Sequence, residues 1–415
     1  MKLDERGRGK YRPLKEYNAD NVKKLLLDKI AEEQTTIQNI VEDDIKPQLQ
    51  YKENKINVIS LFSGCGGLDL GVELAGLATV IGEEKTLKAF ENKDRFSKLR
   101  EESIFHTIYS NDLFKEANES YKLNFPPTFQ HELDIRKIKE FPKADLVLGG
   151  FPCPGFSEAG PRLIDDERNF LYIHFIRCLL QAKPFAFIAE NVKGMLTLGK
   201  GEVINQIIQD FSSAGYNVQF KLVNARDYGV PQQRERVFII GIRNDIDFEY
   251  DFPNPTHGED KGKLPYITLK DAIGDLEAAP GDWFEGGYSP IYLSRNRKKR
   301  WTDQSFTIQA SGRQAPLHPS GPEMVKLGKD LWELPGEESL HRRLSVKEIA
   351  RIQTFPDWFE FSDGGNMNSS KSNRLNKQYK QIGNAVPVKL AKAVAMPIAE
   401  WAKDNMESIK KPVTL

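Results

Sequence analysis

The sequence predicts an α/β protein with a mostly parallel sheet and flanking helices, followed by a smaller, loop-rich domain. Three observations support this fold class. A strand, a glycine-rich turn and a helix follow one another at 55–75, an order typical of cofactor-binding open sheets. The apolar runs 144–148 and 185–189 are bounded by turn residues, as buried strands are. The alternation of helix and strand patterns ends near residue 244, where prolines and glycines become frequent.

The composition sets the broad class of protein. A chain of 415 residues is long enough for two domains. Lysine plus arginine and aspartate plus glutamate both number 59, so only a local patch could bind a polyanion. Three cysteines and six histidines lack the spacing of zinc ligands, and we expect no metal site. No apolar run reaches transmembrane length and no signal peptide is evident, which predicts a soluble, intracellular protein.

The first 54 residues are highly charged. Asp20 or Asn21 caps a predicted helix that continues to Ile40. We interpret this segment as an accessory helix, because no functional motif is legible in it.

A glycine-rich loop follows the first predicted strand, 55–62. It reads Ser63-Gly-Cys-Gly-Gly-Leu-Asp-Leu-Gly71 and leads into a helix. The spacing departs from G-x-G-x-x-G because Asp69 occupies the place of the third glycine. The glycines still allow a ligand to approach the backbone at the end of the strand, so we expect a cofactor here.

A carboxylate that binds ribose should follow at the end of the next strand, and two acids compete for this role. The apolar run 77–81 ends beside Glu84, close to the spacing of the dinucleotide motif. The run 105–109 ends at Asp112, after a charged stretch (82–103) that has the character of a surface insertion. The residues alone leave the choice open.

A stiff loop carrying Cys153 follows the strand 144–148. Pro152 and Pro154 restrict the backbone on both sides of the thiol, and glycines within 149–155 leave room for a close approach. A lone cysteine is more often a buried residue in a turn. The segments downstream supply partners that favour a nucleophile instead.

Those partners are one acid and two arginines. Glu190 ends the strand 185–189, on the same edge of a parallel sheet as Cys153. Arg234 and Arg236 alternate in the extended segment Pro231-Gln-Gln-Arg-Glu-Arg and therefore point to one side of it. Taken singly, an acid at a strand end is as often an exposed surface residue as part of a site, and arginines on one side of a strand more often cover a surface than contact a ligand.

The loop-rich part contains the basic run Arg295-Asn-Arg-Lys-Lys-Arg300 next to Trp301. This run either contacts phosphates or forms a solvated surface, and the residues alone leave both interpretations open. Regular structure returns in a helix over 345–352, which Ser345 and Glu348 begin as a capping box, and in a final helix near the C-terminus.

Six segments resemble, in order and spacing, the motifs of the cytosine-C5 DNA methyltransferases. They are the glycine loop at 61–71, Phe151-Pro-Cys-Pro-Gly-Phe-Ser157, Glu190-Asn-Val-Lys-Gly194, Gln232-Gln-Arg-Glu-Arg236, Arg343-Leu-Ser-Val-Lys-Glu348 and Gly383-Asn-Ala-Val-Pro387. The match spans about 55–400, and six ordered motifs are far more specific than one. The chain is identified as a member of this family, of the bacterial restriction-modification type.

The resemblance implies a Rossmann-like methyltransferase fold with S-adenosylmethionine as the cofactor. It divides the chain into an N-terminal extension (1–54), a catalytic domain (55–243), a target-recognition domain (244–377) and a C-terminal segment that returns to the catalytic domain (378–415). It also favours Asp112 over Glu84 as the ribose ligand. The residues expected to bind the cofactor are Phe62, Ser63, Gly64, Cys65, Gly66, Gly67, Asp112, Leu113, Asp134, Ile135, Asn384 and Ala385.

By the same resemblance, catalysis depends on Cys153, Glu190, Arg234 and Arg236. A thiolate that attacks C6 of cytosine makes C5 nucleophilic. A protonated Glu190 relieves the charge at N3, and Arg236 holds the O2 carbonyl. Because no side chain reaches C6 inside a duplex, the base must be flipped out.

The implied partner is double-stranded DNA, with no membrane. We expect a cytoplasmic, nucleoid-associated bacterial monomer, whose site a cognate restriction endonuclease would share. The residues expected to contact DNA are Arg295, Arg297, Lys298, Lys299, Arg300, Arg313 and Gln314.

Three alternative functions compete with this interpretation. A tRNA cytosine-C5 methyltransferase has the same fold, but the stretch from 245 to 342 is long enough for a DNA-reading domain. An NAD-dependent dehydrogenase requires the glycine motif that fails at Asp69. A catalytically silent DNA-binding regulator is disfavoured because Cys153, Glu190 and Arg236 are all present.

Overall fold

The computed structural model describes residues 45–152 and 171–410, with a few positions between 24 and 35. Most of the predicted N-terminal helix lies outside the described residues, and so does Cys153. Among the described residues, no helix is both long and apolar enough to cross a membrane. The same part of the chain contains no cluster of three side chains suited to bind a metal ion.

A seven-stranded sheet forms the centre of the molecule, in the order β3-β2-β1-β4-β5-β7-β6. The first five strands pair in parallel, and β7 runs antiparallel to both β5 and β6. The prediction of a mostly parallel sheet is therefore confirmed. The strands are β1 (Ile56–Leu61), β2 (Phe105–Asp112), β3 (Phe129–Glu132), β4 (Leu146–Gly149), β5 (Ala186–Val192), β6 (Tyr216–Asn224) and β7 (Glu235–Arg243).

Helices cover both faces of this sheet, which explains why its central strands β1, β4 and β5 are buried along almost their whole length. Along β1, Ile59 and Leu61 join one buried cluster while Ile56 and Val58 join the other. The helices are α1 (Gly67–Ile81), α2 (Glu83–Phe90), α3 (Lys93–Leu99), α4 (Lys115–Asn124), α5 (Leu171–Ala182), α6 (Glu202–Ser213), α7 (Leu269–Ile273), α8 (Val346–Ile352), α9 (Lys371–Asn384), α10 (Val388–Asp404) and α11 (Met406–Lys410). Apolar residues of α5 and α6 pack on one face, and those of α1 and α10 on the other.

One of the two predicted positions for the second strand is wrong. Residues 77–81 form the last part of α1, and Glu84 lies in the first turn of α2. The second strand is β2, which ends at Asp112. The run 77–81 was ambiguous because a short apolar stretch fits a buried helix as well as a strand.

The stretch 82–103 is helical, and it contacts a distant part of the chain. The indole N–H of Trp358 donates to the Phe90 carbonyl at 2.7 Å, and the Phe96 and Trp358 rings lie 5.4 Å apart. Lys93 forms an ion pair with Glu360 at 2.5 Å. The predicted surface insertion therefore braces the segment that follows α8.

Residues 244–345, all of them described, contain little regular structure. They hold α7, several single 3₁₀ turns and a hairpin formed by β8 (Val325–Gly328) and β9 (Leu331–Glu333). The division into domains stays a prediction. Its last boundary, between 377 and 378, falls inside the continuous helix α9, so the C-terminal segment would begin at that helix instead.

The capping box predicted at the start of α8 is present. The Glu348 backbone N–H donates to the Ser345 hydroxyl at 3.1 Å, and the Ser345 N–H donates to the Glu348 carboxylate at 2.7 Å. These bonds satisfy two backbone donors that a helix start leaves free.

Candidate active site

A cavity of about 480 Å³ opens at the carboxyl ends of β1, β2, β4 and β5. Open α/β sheets bind their ligands at this edge. Most of the predicted cofactor residues line it, together with Glu190. These lining residues are Phe62, Ser63, Gly64, Gly67, Asp112, Leu113, Asp134, Ile135, Asn384 and Ala385.

The glycine loop brings the backbone against the cavity wall. Gly64 and Gly66 adopt φ values of +55° and +91°, which side chains rarely tolerate. A Cβ atom on Gly66 would lie 2.4 Å from the Phe125 ring, and one on Gly67 would lie 2.5 Å from the Val386 carbonyl oxygen. The loop is therefore held between helix α4 and the C-terminal segment.

Two residues predicted to bind the cofactor lie behind this loop instead. The Cys65 side chain is buried, and its thiol donates to the Gln381 carbonyl at 3.8 Å. Gly66 precedes α1 and faces the ring of Phe125. Neither residue lines the cavity, because the chain turns away from the sheet edge between Gly64 and Gly67.

Asp112 stands at the carboxyl end of β2, beside the glycine loop. Its carboxylate accepts hydrogen bonds from the backbone N–H groups of Gly64, at 2.8 Å, and Phe114, at 2.7 Å. Burial raises the pKa of Asp112, and these backbone donors offset part of that rise. Glu84 is exposed on α2, where it pairs with Lys88. Of the two acids, Asp112 lines the cavity and Glu84 does not.

Asp134 lines the same cavity and accepts hydrogen bonds from the guanidinium of Arg136. Arg136 donates to both of its carboxylate oxygens, at 3.0 Å and 2.6 Å. Burial would raise the pKa of Asp134, but the hydrogen bonds from Arg136 outweigh it and lower the pKa. Asp134 is therefore anionic and fixed in orientation.

The end of α9 closes the cavity and adds a residue that the sequence analysis missed. Lys380 lines the cavity one helical turn before Asn384, and its ammonium lies 4.1 Å from the centre of the Phe114 ring. The spacing of four residues from Asn384 was the available signal, because it places both side chains on one helix face.

These residues fit the cofactor that the sequence predicts. An ionised carboxylate offers about four acceptor positions, and the backbone N–H groups of Gly64 and Phe114 occupy two of those on Asp112. Each oxygen therefore retains an acceptor position for one of two neighbouring ribose hydroxyls. Gly64 lines the cavity with nothing within 4 Å of the place where a Cβ atom would lie, which leaves room for the methionine portion.

Glu190 and Arg236 form an ion pair on neighbouring strands. The Arg236 Nε and Glu190 Oε1 atoms lie 2.8 Å apart, and both side chains are nearly buried. Glu190 lies within β5, which continues two residues beyond it to Val192, whereas the predicted strand ended just before Glu190. Arg236 belongs to the antiparallel β7. Burial lowers the pKa of Arg236, while Glu190 opposes that shift.

The chain that leads to Cys153 passes directly beside this pair. A Cβ atom on Gly150 would lie 3.3 Å from a carboxylate oxygen of Glu190. The Asn191 amide donates to the Phe151 carbonyl at 3.0 Å. Pro152, the last described residue before Cys153, lines the cavity.

The structure does not place Arg234 among groups that could contact a substrate. Arg234 is 1% exposed and donates to the carbonyls of Ile308, Gly383 and Ala385, at 3.3, 2.9 and 3.1 Å. Burial is the main reason that its pKa is lowered. Arg234 joins β7 to two other segments, and the prediction of a catalytic role is corrected to a structural one.

The basic run divides into exposed and buried cations. Arg297 and Lys298 are each 5% exposed, and Lys298 donates to the Ser320 carbonyl. Cations buried and bonded in this way cannot reach phosphates, which corrects the prediction for these two. Arg295 and Arg300 are exposed, and Lys299 is partly exposed.

A short turn presents the two residues predicted to read bases. Arg313 is exposed, and Gln314 is partly exposed, within a 3₁₀ turn over Gly312–Gln314. The side chain of Arg313 forms no hydrogen bond or ion pair with the described part of the chain.

The sheet order and the cavity at its carboxyl edge define a cofactor-dependent enzyme of the open α/β class. The chain belongs to the C-5 cytosine-specific DNA methylase family, whose model matches residues 56–400. It transfers a methyl group from S-adenosylmethionine to C5 of cytosine in DNA.

Relatives of high identity support this assignment. The type II methyltransferase M.BsuRI of Bacillus subtilis is 67% identical over 98% of this chain and 94% of its own length. M.BspRI of Lysinibacillus sphaericus is 62% identical over 98% of this chain and 96% of its own. A solved structure of Spodoptera frugiperda DNMT2 covers 83% of this chain and all of its own, with a TM-score of 0.55. At 18% identity, that likeness concerns the fold.

Proposed function

We propose that Cys153 is the nucleophile, and that Glu190 and Arg236 hold the target cytosine. The observation that carries this proposal is the Glu190–Arg236 pair, in which Glu190 lines the cavity and lies immediately beside the chain that leads to Cys153. A nucleophile and the groups that stabilise charge on the same ring must lie within a few ångströms of one another.

In the proposed reaction, the Cys153 thiolate forms a bond to C6 of the cytosine. Electron density moves through the ring to C5 and N3, so that C5 becomes a carbon nucleophile. S-adenosylmethionine supplies an electrophilic methyl group when it is bound. Solvent water then accepts the C5 proton, and the electron pair of that C–H bond re-forms the C5–C6 double bond. The C6–S bond breaks in the same step, which restores both the aromatic ring and the Cys153 thiolate.

Glu190 and Arg236 would contact different atoms of the same cytosine ring. Glu190, having taken up a proton from solvent, would donate it to N3 as charge develops there. The guanidinium of Arg236 has donors only, which suit the O2 carbonyl. In the structure the two side chains pair with each other. A cytosine that enters between them would exchange that contact for bonds to the base.

The cofactor would be held by the residues that line the rest of the cavity. Asp112 would accept from the ribose hydroxyls, and Asp134 with Ile135 would contact the adenine. Backbone groups of Gly64 and Gly67 would lie along the methionine portion. The support for these roles is the position of each residue in one cavity, which Glu190 also lines.

We propose duplex DNA as the substrate, within a type II restriction-modification system. Support comes from the relatives of high identity, which are named type II methyltransferases. The target base would be flipped out of the helix, at a cost of a few kcal/mol in stacking and pairing. Residues 244–345 would offset that cost by contacts with phosphates and base edges. A cognate endonuclease, a monomeric state and a cytoplasmic location belong to the same proposal.

The test is covalent trapping on a duplex that carries 5-fluorocytosine at the target. Fluorine cannot leave C5 as a proton does, so the wild-type protein should remain bound to the DNA through denaturing electrophoresis. Cys153→Ala should bind DNA but neither methylate nor trap it. Cys178→Ala is the matched control, because that thiol is buried in α5 and should leave trapping intact.

Trapping that persists in Cys153→Ala would assign the nucleophile to another residue. Methylation of tRNA rather than of duplex DNA in a parallel assay would overturn the proposed substrate.

A further inference from the structure

We propose that Arg297 orients Gln314 so that Gln314 presents only hydrogen-bond donors to DNA, and that Gln314 therefore reads a guanine in the major groove. This inference rests on the proposed function, in which residues 244–345 face the DNA. It assigns Arg297 the role of a positioning residue and Gln314 that of a specificity residue.

The turn that carries Gln314 is held on both sides. The Gly312 N–H donates to the Asn376 side chain at 2.9 Å, and a Cβ atom on Gly312 would lie 2.8 Å from Phe284. At the other end of the turn, the Tyr292 hydroxyl donates to the Ala315 carbonyl at 2.8 Å. A side chain on this turn is therefore presented from a defined backbone position.

Arg297 is buried beneath the turn and bonded to it. One guanidinium nitrogen donates to the Gln314 side-chain oxygen at 2.6 Å, and Nε donates to the Tyr292 carbonyl at 3.1 Å. The guanidinium also lies 4.8 Å from the centre of the Tyr292 ring. These contacts leave Arg297 a single orientation, directed at Gln314.

The chemistry of the two groups decides which end of the amide faces outward. A guanidinium has five donors and no acceptor, so it can bond only the oxygen of an amide. The Gln314 oxygen must therefore face Arg297, and the NH₂ group must point away. Within the described residues, that NH₂ group has no hydrogen-bond partner.

A donor-only side chain discriminates among base pairs in the major groove. Guanine presents two acceptors there, N7 and O6, which two N–H groups can bond together. Adenine presents an acceptor beside a donor, and glutamine reads it with both ends of its amide. Because the Gln314 oxygen points at the buried Arg297, it cannot also face the amino group of adenine, which needs an acceptor. Guanine is the base that fits.

The experiment is a specificity profile of methylation on duplexes with randomised flanks, read by bisulfite sequencing. Gln314→Ala should lower the preference for guanine at one position by roughly 5- to 150-fold and leave the other positions unchanged. Gln314→Glu, which cannot donate, should lose the same preference. Gln50→Ala, an exposed glutamine outside residues 244–345, is the matched control.

Two further measurements isolate the role of Arg297 and the atoms that are read. Arg297→Met should relax the same position as Gln314→Ala, and the double variant should be no worse than Gln314→Ala alone. Replacing the guanine by 7-deazaguanine removes N7 only. That substitution should slow the wild type and leave Gln314→Ala unaffected.

Three outcomes would overturn the inference. In the first, Gln314→Ala loses the base preference at a position where the wild type does not select guanine. In the second, Gln314→Ala keeps every base preference of the wild type. In the third, Arg297→Met has the same specificity profile as the wild type. If Arg297→Met does not fold, the Gln314 variants and the 7-deazaguanine duplex still decide the base that is read. A failure of the proposed function would look different, because the wild type would then neither methylate duplex DNA nor trap on 5-fluorocytosine.

Discussion

At the scale of single residues, Asp112 shows how one carboxylate can organise a cofactor cavity. Its two backbone donors, Gly64 and Phe114, belong to the ends of two neighbouring strands. The same carboxylate thus ties the glycine loop to β2 and keeps acceptor positions free for a ligand.

The first prediction concerns this residue. Asp112→Ala should weaken S-adenosylmethionine binding by about 1.5–3 kcal/mol, the range for a hydrogen bond to a charged group. Titration calorimetry measures the change directly. Glu84→Ala is the matched control, because Glu84 is exposed outside the cavity. A large loss in Glu84→Ala, with affinity unchanged in Asp112→Ala, would exchange the two assignments.

Asp69, also near the cavity, is a buried acid at the start of α1. The Tyr121 hydroxyl donates to its carboxylate at 2.8 Å. Burial raises the pKa of Asp69 to about 6 despite this bond. The folded protein therefore binds a proton between about pH 4 and 6, where an unfolded chain has already released it.

The second prediction follows from the sign of this shift. A raised acid pKa makes the free energy of unfolding fall as pH rises through that window. Asp69→Asn lacks the titration, so its stability relative to the wild type should rise by on the order of 1 kcal/mol between pH 5 and 7. Urea unfolding at both pH values measures it. Asp94→Asn is the control, because Asp94 is exposed. If the difference in the free energy of unfolding between Asp69→Asn and the wild type is the same at pH 5 and pH 7, the prediction is wrong.

At the scale of elements, the contact between α1 and α10 places the C-terminal segment beside the glycine loop. The two helices approach so closely at Gly71 that a Cβ atom there would lie 2.4 Å from the Ala391 side chain and 2.6 Å from the Val388 carbonyl oxygen. Backbone atoms cannot give way at such distances, so this position requires glycine.

The third prediction tests this packing. Gly71→Ala should lower the free energy of unfolding by about 1–3 kcal/mol, as overpacking in a core does. Gly287→Ala is the control, because nothing lies within 4 Å of its added methyl group. Equal stability of the two variants, measured by urea unfolding, would show that α10 can move away without cost.

A chain of aromatic side chains connects the helical insertion to the cofactor loop. From Phe96 it passes through Trp358 and Phe359 to Phe125, with successive ring centres 5.4, 6.2 and 6.3 Å apart. Phe125 in turn faces Gly66 of the glycine loop. The insertion therefore supports the cavity from behind, although it contributes no residue to its lining.

At the scale of the whole molecule, buried polar groups join the sheet to the loop-rich part. The Gln232 amide donates to Gln353 at 2.8 Å and accepts from the Ile308 N–H at 2.8 Å. Together with the bonds of Arg234, these contacts hold the start of β7 against both flanking segments. The residues proposed to face DNA are thereby fixed relative to the cavity.

The fourth prediction concerns the electrostatics of DNA binding. Arg295→Ala and Arg300→Ala should weaken binding to cognate and random duplexes alike. Each should lower the slope of log affinity against log salt by about one unit, because a lost phosphate contact releases no counterion. Binding isotherms at several salt concentrations measure the slope.

Lys98→Ala is the control for this experiment, because Lys98 is an exposed cation on the insertion. A wild-type slope in Arg295→Ala and Arg300→Ala would show that the exposed part of the basic run is a solvated surface.

The sequence by itself determined the order of elements and the place of the cavity. Strand β1, the glycine loop and Glu190 were recognisable because backbone periodicity and turn chemistry act over a few residues. Asp112 was preferred to Glu84 only through the family resemblance. The run 77–81 shows the limit of such patterns. Its apolar residues suit a strand and a helix equally, and the packing of α1 against α10 decides for the helix.

Only the tertiary structure decided which charged residues are buried. Arg234, Arg297 and Lys298 look like their exposed neighbours in the sequence, yet each bonds carbonyl or amide oxygens that lie far along the chain. A charge can be buried only where such partners converge. That convergence depends on how distant segments pack, so no local pattern could have shown that these three cations face inward.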